Sequence, residues 1–209
     1  MIHRENERSE HQKIRGVAYT LTIEKQVKAG AKSITIVGHS MGGLVSRLLL
    51  ESGVFSNEPW FKKIISFIAL ATPHLGAPLA LARILGMDSA LGISKSDFKI
   101  FANNPKYPTA YQLLPAPGEA ACWDISVRSL PALDIYDSKV AARLGLNTSL
   151  LKRARYVHDT LGKNSAPGNV RYFFFAGTGH GTVTRVNVGI GANVLTSSEP
   201  DLKGVERYQ

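Results

Sequence analysis

The stretch Val37-Gly38-His39-Ser40-Met41-Gly42-Gly43, written VGHSMGG, decides how this chain is interpreted. It contains a Gly-x-Ser-x-Gly pattern directly after the β-branched run 34–37, which is typical of a buried strand. Apolar residues then recur on one face of a helix, namely Leu44, Val45, Leu48 and Leu49. A serine at such a sharp strand-to-helix turn stands clear of the sheet. The pattern therefore predicts that Ser40 is a nucleophile.

A glycine-rich turn or a phosphate-binding loop would also place glycines around a serine. This loop, however, lacks the Gly-Lys-Ser/Thr ending and the Gly-x-Gly-x-x-Gly spacing of nucleotide sites. In a nucleophile turn, Gly38 and Gly42 relieve the crowding of the backbone around the serine. The helix that begins at Met41 directs its N–H toward the oxyanion of a tetrahedral intermediate. The sequence context favours the nucleophile over both alternatives.

Strands and helices alternate along the chain, with no short hairpin turn between strands. Buried strands are predicted over residues 34–37, 62–70 and 170–176. A helix before the first strand is predicted to bury a face formed by Ile14, Val17, Ala18 and Leu21. This order predicts an α/β fold with a parallel sheet. Because a three-stranded sheet leaves apolar edges exposed, we expect further chain segments to be needed at those edges.

Residues 87–160 differ from the rest of the chain. Prolines at positions 105, 108, 115, 117 and 131 interrupt them, and aromatic residues are scattered among them. Short helices are expected here, for example over 137–144. We therefore predict that residues 1–209 form a single, partial domain with a mostly helical lid or cap inserted at about 87–160.

The composition excludes several other classes of protein. A hydrophobic content of 44% with 20% charged residues is ordinary for a globular chain. The net charge of +9 favours a solvated basic surface, with an anionic membrane surface as the alternative, and no motif for specific nucleic-acid binding accompanies it. Segment 1–16 is charged and has no apolar core, so no signal peptide is predicted. No apolar run reaches about 18 residues, so no transmembrane helix is predicted either. Cys122 is the one cysteine, and we expect it to be a buried apolar residue.

Three motifs together resemble a known superfamily. The elbow VGHSMGGLVSRLL, followed about 30 residues later by ALATPHLGAP, resembles the α/β-hydrolase lipases and esterases. The segment YPTAYQLLP at 107–115 is similar to the Leu-Leu-Pro element of the lecithin:cholesterol acyltransferase-like group. The first two motifs also resemble the inositol deacylases that act on lipid anchors. The resemblance implies a partial α/β-hydrolase fold and a serine-dependent acyl-ester hydrolase or acyltransferase for lipid or lipid-like esters, with no cofactor.

The resemblance also implies roles for individual residues. Ser40 would be the nucleophile, and the backbone N–H of Met41 would stabilise the oxyanion. Thr72 and His74 would follow the next strand at the carboxyl edge of the sheet and would line the pocket. His39, inside the elbow, would be structural or would line the pocket. A catalytic base at His74 is the alternative, but the base in this superfamily comes later in the chain.

The catalytic acid and base of the superfamily are not evident. Their order is serine, then Asp or Glu, then His. After the third strand, the first Asp is Asp201, and the last His is His180. Because this order is absent together with an early oxyanion loop, we expect the chain to be the middle of a longer hydrolase, with His180 a polar residue of a glycine-rich loop. The alternative is that His180 is the base, with Asp134, Asp137 or Glu199 to orient it.

A second function remains open at this point. A truncated, catalytically inactive relative would bind a lipid or a partner protein through the same fold. The six histidines show no ligand spacing such as His-Glu-x-x-His, so no metal site is expected. The sequence thus predicts a lipid-ester enzyme, with a lipid- or partner-binding module as the alternative.

Overall fold

A computed structural model of the chain describes residues 17–89, 92–163, 165–179, 182–190 and 195–197. The chain divides into two compact units, of which the first comprises 1–74 and 160–177 and the second comprises 75–159 and 178–209. In chain order the elements are α1 (Val17–Lys28), β1 (Ile34–His39), α2 (Met41–Glu51), β2 (Ile64–Leu70), α3 (Pro78–Ile84), α4 (Lys95–Ala102), α5 (Thr109–Gln112), β3 (Cys122–Asp124), α6 (Ser138–Arg143), α7 (Thr148–Leu161), β4 (Arg171–Phe175), β5 (Val186–Ile190) and β6 (Leu195–Ser197).

The first unit is built on a parallel sheet with the strand order β1-β2-β4. All three strands were predicted from the sequence, and both neighbouring pairs are parallel. Gly38 pairs with Ala69, and Leu70 pairs with Phe175, so the carboxyl ends of the three strands meet at one edge. The α/β fold with a parallel sheet is therefore confirmed. Among the described residues, β1 and β4 are the edge strands of this sheet.

The core of the first unit surrounds the central strand β2. Ile64 and Phe67 are fully buried, and the residues packed with them include Ile36, Leu49 and Trp60. A central strand with helices on its faces needs apolar residues on both sides, which explains why β2 is apolar at every position except Ser66. The buried side chains of the strand thereby hold the carboxyl edge of the sheet in place.

The face of α1 differs from the prediction. Leu21 was predicted to be buried, but 51% of its surface is exposed. Ile23 is buried instead, and Val27, four residues later, packs against the same core. Residues four apart lie on one side of a helix, so this pair turns Leu21 toward solvent. Ile14 lies outside the described residues.

The second unit has a core and a sheet of its own. Its core includes Leu81, Tyr111, Leu114 and Leu150, which are fully buried. Its sheet has the order β3-β5-β6, in which β3 and β5 are parallel and β5 and β6 are antiparallel. This sheet was not predicted from the sequence, because strands of three to five residues carry too little periodicity to be recognised. The assignment of 1–209 to one domain with a lid at 87–160 stays a prediction.

The surroundings of Cys122 agree with its expected role as a buried apolar residue. Cys122 is buried, and burial together with the nearby Asp124 carboxylate raises the pKa of its thiol to about 12, so it is a poor nucleophile. None of the helices in the described ranges is both long and apolar enough to cross a bilayer.

The neighbouring residues Ile64 and Ile65 provide a matched test of the core. Ile64 is 0% exposed and Ile65 is 39% exposed. Ile64→Ala should lower the free energy of unfolding by about 2–5 kcal/mol because it leaves a cavity in the core. Ile65→Ala should cost less than about 1 kcal/mol. Urea unfolding followed by circular dichroism measures both, and equal losses would contradict the placement of β2.

Candidate active site

Ser40 occupies the turn between β1 and α2. Its backbone has φ 52° and ψ −127°, a region that non-glycine residues rarely adopt. The N–H of Ser40 donates to the carbonyl of Leu70 at 2.9 Å, and its own carbonyl accepts from the N–H of Gly43 at 3.0 Å. Backbone strain of this kind costs about 1–3 kcal/mol and persists where surrounding contacts hold it. These two hydrogen bonds hold the serine at the end of the strand.

The glycines of this turn are required by close packing of the backbone. A Cβ added to Gly38 would lie 2.7 Å from both Cα and N of Gly43. A Cβ on Gly43 would overlap the side chain of Thr72. Atoms at such distances repel strongly, so a side chain at Gly38 would shift the backbone and one at Gly43 would displace Thr72. Glycine at both places therefore lets the turn at Ser40 form without either shift.

The other residues predicted near Ser40 lie in the same unit. Met41 is the first residue of α2, where a backbone N–H has no partner within the helix. His39 is an exposed residue at the end of β1. Thr72 follows β2, and its Oγ1 is buried against Gly43 with no hydrogen-bond partner in the described part of the chain. A buried hydroxyl without a partner is unusual, and this one lies beside the start of α2.

A buried charge cluster, which the sequence analysis missed, surrounds His74. Arg47 and Glu51 form a bidentate ion pair, in which the Nε–Oε1 and Nη2–Oε2 distances are both 2.8 Å. Arg47 Nη2 also donates to the Leu161 carbonyl at 3.1 Å, and Nη1 lies 3.4 Å from His74 Nδ1. The signal in the sequence was an Arg and a Glu four residues apart on a helix that is otherwise largely apolar.

Two aromatic residues of β4 complete this cluster. The ring of Phe174 meets the His74 ring edge to face, with centroids 4.9 Å apart. Burial raises the pKa of Tyr172, and the neighbouring Glu51 carboxylate raises it further. Burial lowers the pKa of His74, and the Arg47 guanidinium lowers it further. The cluster therefore keeps Tyr172 protonated and favours a neutral His74.

The Leu-Leu-Pro segment of the second unit packs directly on the residues that follow His74. Ala77 N–H donates to the Leu113 carbonyl at 2.8 Å, and Ala116 N–H donates to the Leu75 carbonyl at 2.9 Å. Gly76 lies between them with φ 84°, and a Cβ there would come within 2.6 Å of the Leu114 carbonyl carbon. The ATPHLGAP and YPTAYQLLP motifs are thus linked by backbone hydrogen bonds around a required glycine.

His158 holds the Leu-Leu-Pro segment from α7. Its Nε2 lies 2.8 Å from the Leu114 carbonyl, which can only accept, so Nε2 is the protonated nitrogen. Only 8% of the surface of His158 is exposed. Burial lowers the pKa of His158, although the bond to Leu114 and the nearby Asp159 act in the opposite direction. His158 therefore has a structural role as a neutral hydrogen-bond donor.

Two of the carboxylates predicted to orient a catalytic base, Asp134 and Asp137, lie among the described residues. Asp137 caps α6 by accepting from the N–H groups of Lys139 and Val140, at 2.9 and 3.0 Å. Asp134 accepts from the N–H of Tyr136 at 2.8 Å. His180, Glu199 and Asp201 lie outside the described residues. The part of the chain that is described contains no cluster of His, Cys, Asp and Glu suited to a metal ion.

The chain is similar in sequence to a known protein family. The sequence model of the family described as "Lecithin:cholesterol acyltransferase" matches residues 12–171. No curated protein sequence matches the chain. One of eight matching chains of solved structures comes from "The crystal structure of Tle4-Tli4 complex", at 13% identity and a TM-score of 0.48. That alignment covers 75% of this chain and 40% of the other, so this chain spans less than half of the matched protein.

The effect of close packing at Gly38 on stability can be compared with that at a glycine that has free space around it. Gly38→Ala should lower the free energy of unfolding by about 1–3 kcal/mol because the new Cβ overlaps the backbone of Gly43. Gly168→Ala is the control, because no atom lies within 4 Å of its added Cβ. Chemical unfolding measures the free energy of unfolding of both variants, and equal values would contradict the close contact between Gly38 and Gly43.

The lowered pKa of His158 predicts a dependence of stability on pH. The unfolded chain binds a proton near the ordinary value of 6.5, whereas the folded chain binds it only at lower pH. Stability should therefore fall as the pH drops from 7.5 to 5. His158→Gln removes this titrating group and should therefore show a smaller fall in stability than the parent chain. Urea unfolding at pH 7.5 and at pH 5 measures the loss of stability in each chain. An equal loss in His158→Gln and the parent chain would contradict a contribution from His158.

Proposed function

Because the chain belongs to the lecithin:cholesterol acyltransferase family, we propose that it acts on acyl esters of lipids or lipid-like molecules with Ser40 as the nucleophile. The backbone of Ser40 is the observation that carries the proposal. A serine with φ 52° between β1 and α2 is held in a strained turn by packing of Gly38 on Gly43. Strain of this kind is characteristic of functional sites. The strand, turn and helix supply the context that a nucleophile elbow requires.

The proposed chemistry is acyl transfer through a covalent intermediate. Ser40 Oγ attacks the ester carbonyl carbon and gives its proton to a base. The N–H of Met41, which has no partner within α2, donates to the resulting oxyanion. Collapse of this intermediate breaks the ester C–O bond, the leaving oxygen takes the proton from the base and departs as the alcohol, and the acyl group stays on Ser40. Water then gives hydrolysis, whereas a second alcohol gives transfer, and both outcomes use the same residues.

Apolar side chains near the carboxyl edge of the sheet support a lipid-like acyl group. Phe174 and Phe175 at the end of β4 are 58% and 59% exposed, and Met41 is 40% exposed. Phe175 pairs with Leu70, whose carbonyl accepts from Ser40, so these residues lie at the same edge of the sheet as the proposed nucleophile. An acyl chain gains about 0.8 kcal/mol for each CH₂ that it buries on such a surface.

The catalytic base, the carboxylate that orients it and the residues that line the pocket are also proposed. His180 is the proposed base, with Asp134, Asp137 or Glu199 as the carboxylate that orients it. Thr72 and His74 are proposed to line the pocket, because they follow β2 at the carboxyl edge where α/β sheets bind ligands. His39 is proposed to support the elbow from the end of β1.

The alternative function is a lipid- or partner-binding module without catalysis. The edge strand β1 favours it, since no other described strand pairs with its free side. A cavity of about 410 Å³ lies there, and its walls are formed by α1 and β1 through Thr22, Ile23, Gln26, Ile34, Thr35, Ile36 and Val37. An unpaired edge offers backbone groups to an added strand.

A fluorophosphonate probe separates the two functions. Wild-type protein should be labelled covalently, and Ser40→Ala should abolish both labelling and hydrolysis of a short acyl ester, because no other group forms the acyl intermediate. Ser33→Ala, at an exposed position before β1, is the matched control and should retain labelling. Undiminished labelling of Ser40→Ala would refute the proposal that Ser40 is the nucleophile. Lipid binding by a wild-type protein that resists labelling would favour the binding module.

A further inference from the structure

The guanidinium of Arg47 is held in one position by three hydrogen bonds. Two of them join it to the Glu51 carboxylate at 2.8 Å, and the third joins it to the Leu161 carbonyl at 3.1 Å. The side chains of Arg47 and Glu51 are only 13% and 2% exposed, so water does little to weaken the pair. The remaining Nη1 group then points to Nδ1 of His74, 3.4 Å away.

This contact determines where the proton of His74 resides. A guanidinium offers donors only and does not lose its charge in proteins. Nδ1 of His74 must therefore accept the hydrogen bond from Arg47 and carries no proton. A neutral imidazole with an unprotonated Nδ1 carries its hydrogen on Nε2.

The orientation of the His74 ring leaves its Nε2 available. Phe174 packs edge to face against the ring at an interplanar angle of 86°, which opposes rotation. Among the described residues, no side chain or backbone group bonds to Nε2. His74 is half-buried and lies four residues after Leu70, whose carbonyl accepts from Ser40. The ring is thus at the same edge of the sheet as the serine.

We propose that His74 is a hydrogen-bond donor, through Nε2–H, to an acceptor oxygen of the ester substrate, and that Arg47 is the positioning residue that fixes this tautomer. The ligand in this proposal rests on the proposed function, whereas the tautomer does not. As a donor, His74 cannot accept the proton of Ser40, so it is a substrate-binding residue and not the general base.

The charges around His74 support the neutral form. Arg47 and Glu51 act on the ring from α2, and Tyr172 on β4, which stays protonated, lies next to Glu51. Burial lowers the pKa of His74 first, Arg47 lowers it further, and Glu51 opposes them in part. The imidazole therefore stays neutral at pH 7, where a donor at Nε2 is needed.

Nuclear magnetic resonance of the imidazole nitrogens tests the tautomer without any need for activity. In the ¹⁵N-labelled chain at pH 7.5, with His74→Gln used for assignment, His74 should show a protonated Nε2, an unprotonated Nδ1 and a pKa below 6.5. Arg47→Met/Glu51→Met removes the pair together and should shift protonation partly to Nδ1. Arg83→Met/Asp88→Met, which removes the ion pair of the second unit, is the control. A protonated Nδ1 or a pKa at or above 6.5 in the wild-type chain would overturn the proposal.

Kinetics with a short acyl ester test the donor role. His74→Gln keeps an N–H donor, whereas His74→Leu does not. We expect kcat/KM to be about 3- to 10-fold lower in His74→Leu than in His74→Gln, the size of one hydrogen bond. Equal rates in the two variants would refute donation, and loss of all activity in His74→Gln would indicate a base. If the wild-type chain does not react, the proposed function fails, while the tautomer is still decided by the nitrogen signals.

Discussion

The contact between Gly38 and the backbone of Gly43 is the constraint on which the first unit depends. It lets α2 begin immediately after β1, with Ser40 as the one residue between them. The cost appears at Ser40, whose φ of 52° is unfavourable for a residue with a side chain. Hydrogen bonds to Leu70 and from Gly43 oppose that cost. The strand pairing of β1 with β2 therefore stabilises the proposed site as well as the sheet.

The sequence carried enough information for the parallel sheet and for the family. The runs that form β1, β2 and β4 are apolar and β-branched or aromatic, so buried strands were the expected outcome. The resemblance drawn from VGHSMGG, ALATPHLGAP and YPTAYQLLP is confirmed by the family match over residues 12–171. Motifs succeed here because the chemistry of the turn leaves few residue choices.

Other features could not be obtained from local patterns. The sheet formed by β3, β5 and β6 depends on pairing between Cys122–Asp124 and Val186–Ile190, which are far apart in the chain. The cluster at His74 depends on Arg47 and on the carbonyl of Leu161, 114 residues away. The exposed position of Leu21 depends on which side of α1 meets the sheet. In each case a tertiary contact, and not a local preference, decides the outcome.

The helix α2 connects the two parts of the proposed site. Its first residue, Met41, supplies a backbone N–H beside Ser40, and Arg47, six residues later, reaches His74 after the next strand. A helix of 11 residues is stiff, so the separation between these two groups is set by its geometry. The Glu51 carboxylate then prevents Arg47 from turning away. A rigid element that begins beside the proposed nucleophile thus also holds the hydrogen-bond donor that faces His74, so one helix positions both groups of the proposed site.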